Sequence, residues 1–150
     1  MIDIENYIVS QISSALSSAY SSTYPGLVVY STEVEIPESF PCVTVVASDN
    51  FTLRSTREFG KNTENHAHIT FTVNVYANDG KGRKETAKTL FQAIDLIFQN
   101  FNFTRLMASP MPNIDRTVAR YTGRYEANVG EPIAETINNV EVYTFPVFKN

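Results

Sequence analysis

Two histidines, a single cysteine and a glycine-flanked lysine are the residues of this chain that first invite a chemical reading. His66 and His68 stand two apart in a run of β-forming residues, which places both on one strand face at a spacing that could chelate a metal. Zinc needs three or four ligands, and only Cys42 is left to join them, so two exposed polar histidines and no metal are expected. Cys42 lies in the β-branched run Cys42-Val43-Thr44-Val45-Val46 with no basic neighbour, which makes it a packed thiol rather than a nucleophile. The segment Gly80-Lys81-Gly82-Arg83-Lys84-Glu85-Thr86 enters a helix as a phosphate loop does. Its glycines are too close, however, and no Ser or Thr follows Lys81. A solvated turn is the simpler reading, with basic residues that would welcome an anion at the helix N-terminus. Serines are plentiful but none sits in a Gly-x-Ser-x-Gly elbow. Glu33 and Glu35 share one face of an expected strand, as a solvated edge would also place them. The pattern predicts neither an enzyme nor a bound cofactor.

Charge layout is more informative. The net charge is −4, but residues 1–53 contain six acids and no Lys or Arg, whereas residues 54–124 carry eleven Lys or Arg against six acids. Without an overall cationic excess the chain is not expected to bind nucleic acid freely. Complementary patches suit self-assembly instead. Arg120, Arg124 and Glu126 fall on one face of an expected strand, with Arg116 just before it. A solvated outer face explains that row, and so does an inter-subunit surface, because guanidinium forks suit carboxylates. The candidate interface therefore pairs Arg54, Arg57, Arg116, Arg120 and Arg124 with the acids Glu33, Glu35, Glu38 and Asp49. A head-to-tail ring would bring one subunit's basic patch to the next subunit's acidic one.

The elements that must position these residues are legible from periodicity. Ile4, Ile8, Ile12 and Leu16 recur every four residues and predict a helix over 3–20 with Asp3 as its cap. Strands are expected at 27–36 and from Cys42 to Ala47, and a projecting loop or hairpin at 50–65. Over 66–76, Ile69, Phe71, Val73 and Val75 alternate with polar residues, so one strand face is buried. A second helix, about 83–100, shows the stripe Ala87, Leu90, Phe91, Ile94, Ile97, Phe98 and Phe101, with Lys84, Lys88 and Asp95 away from it. Strands follow at Phe103–Ala108, ended by Ser109-Pro110, then at 117–129, and last at 140–148, where Pro146 points to a sheet edge. The fold class is α+β in the order α-β-β-β-α-β-β-β: a mainly antiparallel sheet with two helices packed on one face.

One domain spanning 1–150 is expected, with 130–150 as a C-terminal extension. Eight tyrosines and ten phenylalanines, without tryptophan, supply apolar bodies for a core or an interface. No apolar run approaches the ~20 residues of a membrane span, and the N-terminus lacks the pattern of a signal peptide. A reducing cytoplasm, or a particle assembled there, is the expected setting.

Several segments resemble a known family. Pro41-Cys42-Val43-Thr44-Val45, Ile69-Thr70-Phe71-Thr72-Val73-Asn74-Val75-Tyr76 and the second helix are similar to parts of the tail-terminator (tail-completion) and neck proteins of long-tailed bacteriophages. So, most sharply, is Pro112-Asn113-Ile114-Asp115 followed by Arg120-Tyr121-Thr122-Gly123-Arg124-Tyr125-Glu126-Ala127. The resemblance runs over about residues 1–129 in the order of elements. It implies a structural virion protein forming a hexameric ring at the head-proximal end of the tail. Such a ring ends tube growth, joins the tail to the head connector and lets DNA pass without sequence-specific binding. Its implied partners are further copies of itself, the tail-tube protein and a connector or stopper; no membrane is involved. The alternatives are a head-side connector or stopper and, from a different class, a small ligand-binding regulatory α+β module.

Overall fold

A computed structural model describes residues 1–53 and 66–130, together with the backbone of 133–137, 140–144 and 147–148. The protein is α+β. Helix α1 spans Glu5–Tyr20 and strand β1 Val28–Tyr30, followed by β2 Cys42–Thr52 and β3 His66–Ala77. A 3-10 turn, Gly80–Gly82, leads into α2, Arg83–Asn100, and then β4 Thr104–Met111 and β5 Ala119–Gly130. The chain closes with β6 Ile133–Ile137, β7 Val140–Thr144 and β8 Val147–Phe148. The sheet runs β1-β2-β3-β5-β4, with β8 on β5; among the described residues only β1 and β2 pair in parallel.

Both helices cover one face. The four-residue repeat of α1 buries Ile8, Ile12 and Leu16, and the stripe of α2 buries Ala87, Leu90, Phe91, Ile94 and Phe98. They close on Val43 and Val45 of β2, Ile69, Phe71, Val73 and Val75 of β3, and Tyr125, Ala127 and Val129 of β5. Aromatic rings fill the centre: Phe98 stacks on Tyr125 with centroids 4.2 Å apart, and Phe71 and Phe103 meet Phe98 at 5.6 and 5.3 Å. Gly123 lets α2 approach this closely. A Cβ there would stand 2.2 Å from Cζ of Phe91, so any side chain would push that ring off the sheet. The glycine inside Arg-Tyr-Thr-Gly-Arg-Tyr thus has a packing role.

Several expectations need correction. Helix α1 starts at Glu5 rather than residue 3, although Asp3 still accepts the Glu5 N–H at 3.0 Å. The strand expected over 27–36 is only Val28–Tyr30; Pro37 and Pro41 offer no amide hydrogen, and 31–41 loops over the outer sheet face. Strand β2 runs on to Thr52 through an irregularity between Ala47 and Asp49. Its arm pairs with β3 as a hairpin would, while residues 54–65, including Arg54 and Arg57, lie outside the described residues. Strand β4 passes through Ser109 and Pro110 to Met111, which an edge strand tolerates. The C-terminal segment holds an unexpected hairpin of β6 and β7, and β8 follows as a separate strand. Ile133, Thr136 and Ile137 are β-formers, but Gly130-Glu131-Pro132 beside them signals a loop.

Candidate functional site

The outer sheet face is polar because β3 and β5 alternate. Asn74 stands opposite Thr122, and Tyr76 opposite Arg120. Asn74 Oδ1 accepts from Arg120 Nε at 2.9 Å and from Thr122 Oγ1 at 2.7 Å. The Arg120 guanidinium also lies 5.7 Å from the Tyr76 ring centre, within reach of its π face. Burial pushes the Tyr76 hydroxyl above its ordinary pKa, against the opposing pull of Arg120. Arg124 approaches Asp49 at 3.9 Å, both half-exposed. Further along, His68 meets Asn128 Oδ1 at 2.8 Å through Nδ1 and Glu126 Oε2 at 3.0 Å through Nε2. Both ring nitrogens are engaged, so the expected exposed histidine is a half-buried cross-strand link. A metal would have to displace one of these contacts.

Cys42 lies on this outer face, opposite Tyr76, in a small second core with Val118, Phe40, Val28 and Tyr30. It is fully buried, and desolvation raises its thiol to about 11, which removes it as a nucleophile at neutral pH. Above it, Glu33, Val34 and Glu35 line a cavity of 440 Å³ with Thr44, Asn74, Tyr76 and Arg120. The two glutamates are therefore loop residues above the sheet rather than members of a strand.

Asp95 departs furthest from expectation. It faces inward instead of away from the apolar stripe, accepting from Tyr125 Oη at 2.7 Å, Gln99 Nε2 at 2.6 Å and Arg105 Nη1 at 3.2 Å. Burial, and then the Asp95 hydrogen bond, push the Tyr125 hydroxyl far above its ordinary range. This network ties β4, β5 and α2 together.

A second cavity, of 680 Å³, opens where α2 begins and β4 gives way to β5. Lys81, Arg83 and Lys84 line it from the helix entry, Arg116 and Arg120 from the start of β5. Pro110, Met111, Pro112 and Val118 supply its apolar wall, and no carboxylate lines it among the described residues. Arg83 is held by the Gly80 carbonyl at 2.6 Å, while Lys81, Lys84 and Arg116 are exposed. Asp79 is occupied by Thr86 and Asp115 by Thr117, whose hydrogen bonds lower the Asp115 pKa.

The sequence-predicted interface residues thus separate. Arg124 and Asp49 meet each other, and Arg120 is held at Asn74 beside the glutamate-lined cavity, all within one chain. Arg116 opens into the cationic groove, and Glu38 stays exposed on the 31–41 loop. Sequence reasoning saw Lys81, Arg83 and Lys84 only as a weak anion patch. Their convergence with Arg116 depends on where β5 starts relative to α2. The same-sign cluster at a helix N-terminus, where cations oppose the dipole, was the available signal. Among the described residues, no helix is long and apolar enough to cross a membrane. No protein-family model matches the chain, and no curated protein matches it in sequence.

Proposed function

We propose that the protein is a structural subunit of a phage tail, forming a hexameric ring at the head-proximal end that stops tube growth and joins tail to head connector. One observation carries this reading. The stretch that resembles tail terminators, Pro112 to Ala127, also carries the most exposed large apolar side chain among the described residues. Ile114 is 97% exposed there, and Arg116 opens beside it into a groove of cations that no carboxylate lines among the described residues. Isolated exposed apolar residues are ordinary, but one beside uncompensated charge suits a contact completed by another protein. In this reading the ring meets the tail-tube protein on one side and a connector or stopper on the other. DNA passes through without sequence-specific contact, assembly occurs in the host cytoplasm, and the role involves neither catalysis nor a membrane.

Native mass spectrometry tests the proposal. Hexamers are expected at high protein concentration or in the presence of tail-tube protein. A chain that stays monomeric under both conditions contradicts it.

A further inference from the structure

We propose that the cationic groove receives the acidic loop Glu33-Val34-Glu35-Ile36-Pro37-Glu38 of a second copy of this chain. The inference rests on the ring reading and names the contact that would build the ring.

The groove asks for an occupant with both negative charge and an apolar side chain. Its exposed cations come from separate segments, Lys81 and Lys84 at the entry to α2 and Arg116 just before β5, with Arg83 and the Asn74-bound Arg120 beside them. Such a concentration of like charge is self-repulsive until a counter-charge arrives. The same groove is lined by Pro110, Met111, Pro112 and Val118, and Met111 is 40% exposed. Covering that wall would release water from apolar surface.

The 33–38 segment matches both demands. It carries three carboxylates in six residues, flanking Ile36, which is 80% exposed. Pro37 stiffens the segment and reduces the entropy lost when it docks. No residue of the loop lines the groove of its own chain; Glu33 and Glu35 instead line the neighbouring cavity, which shares Arg120 with the groove. The loop therefore leaves the groove open to another copy. A phosphodiester backbone is the competing occupant for a cationic groove. The net charge of −4 and the arginine-free, acidic first third of the chain repel it while supplying the matching peptide.

A charge-swap experiment tests the contact. The groove variant is Lys84→Glu with Arg116→Glu, both exposed positions. The loop variant is Glu35→Lys with Glu38→Lys, and Glu38→Lys alone leaves the cavity beside Arg120 untouched. Each variant should keep its melting temperature and lose at least tenfold in self-association by sedimentation velocity. Mixing groove and loop variants should restore assembly, because every contact then pairs opposite charges again. Failure of the mixture to assemble, or unchanged association of the groove variant, overturns the contact. So does a groove variant that assembles normally but loses binding of a fluorescent duplex DNA that the wild type binds, an outcome that assigns the groove to phosphodiester. A wild-type chain that never self-associates overturns the ring reading and this contact together, whereas wild-type assembly with an indifferent groove variant overturns this contact alone.

Discussion

The two faces of the central sheet solve opposite problems. The helix-covered face is closed by apolar volume: Phe71, Phe98, Phe103 and Tyr125 interlock, and the single buried carboxylate of α2, Asp95, has three donors. The outer face is closed by polar pairing, with Asn74 accepting from Arg120 and Thr122, and His68 held between Asn128 and Glu126. The contrast shows which charges are free to recruit a partner. Arg120 and Arg124 look like docking residues in one dimension, yet the outer face already uses them. The exposed charges of Lys81, Lys84 and Arg116 lie at the end of the sheet, away from both solutions.

Substitutions can break this contrast, and the inner face should yield the largest effects. Phe98→Ala removes the ring at the centre of the aromatic cluster and should destabilise the fold by about 3–5 kcal/mol in denaturant unfolding. A loss below about 1 kcal/mol would mean that the cluster collapses around the gap. Tyr125→Phe keeps the ring but takes a donor from Asp95, for an expected loss of about 1–3 kcal/mol. Unchanged stability would show that Gln99 and Arg105 satisfy the carboxylate alone.

The small outer core can be read through Cys42. Its thiol is raised from 9.0 to about 11 in the folded state, so folding favours the neutral form. The stability tied to this group is fully present below pH about 9 and lost as pH rises through about 11. At pH 8 the native chain should carry about a hundredfold less thiolate than the unfolded chain. Alkylation of Cys42 should slow accordingly, and equal labelling of native and unfolded protein would show the cluster to be open. The smallest effect belongs to Arg124→Ala, which breaks a half-exposed pair at 3.9 Å and should cost about 0–1 kcal/mol. A larger loss would place Arg124 in the network that holds Arg120.

Much of this fold was legible because periodicity records burial. The α2 stripe and the alternation of β3 locate both the helix layer and the inner sheet face without any tertiary information. Asp95 was not legible, since a carboxylate off the apolar stripe looks solvated until Arg105 of the following strand and Tyr125, thirty residues on, are brought to it. Residues 31–36 differ from the expected strand for a related reason. The alternation of Glu33, Val34, Glu35 and Ile36 mimics a strand, but Glu33 to Glu35 lie over the outer face instead of joining the ladder. The charge asymmetry between the first third and the middle was visible from the start. Which arginines remain free is a property of cross-strand register, and register is not written in composition.

Electron microscopy of tail tubes incubated with the protein tests whether it forms a ring that caps the tube. Six-fold rings at one end of each tube, with tube length arrested once they bind, are the predicted result. Tubes that keep growing with bare ends while the protein stays monomeric would contradict the account.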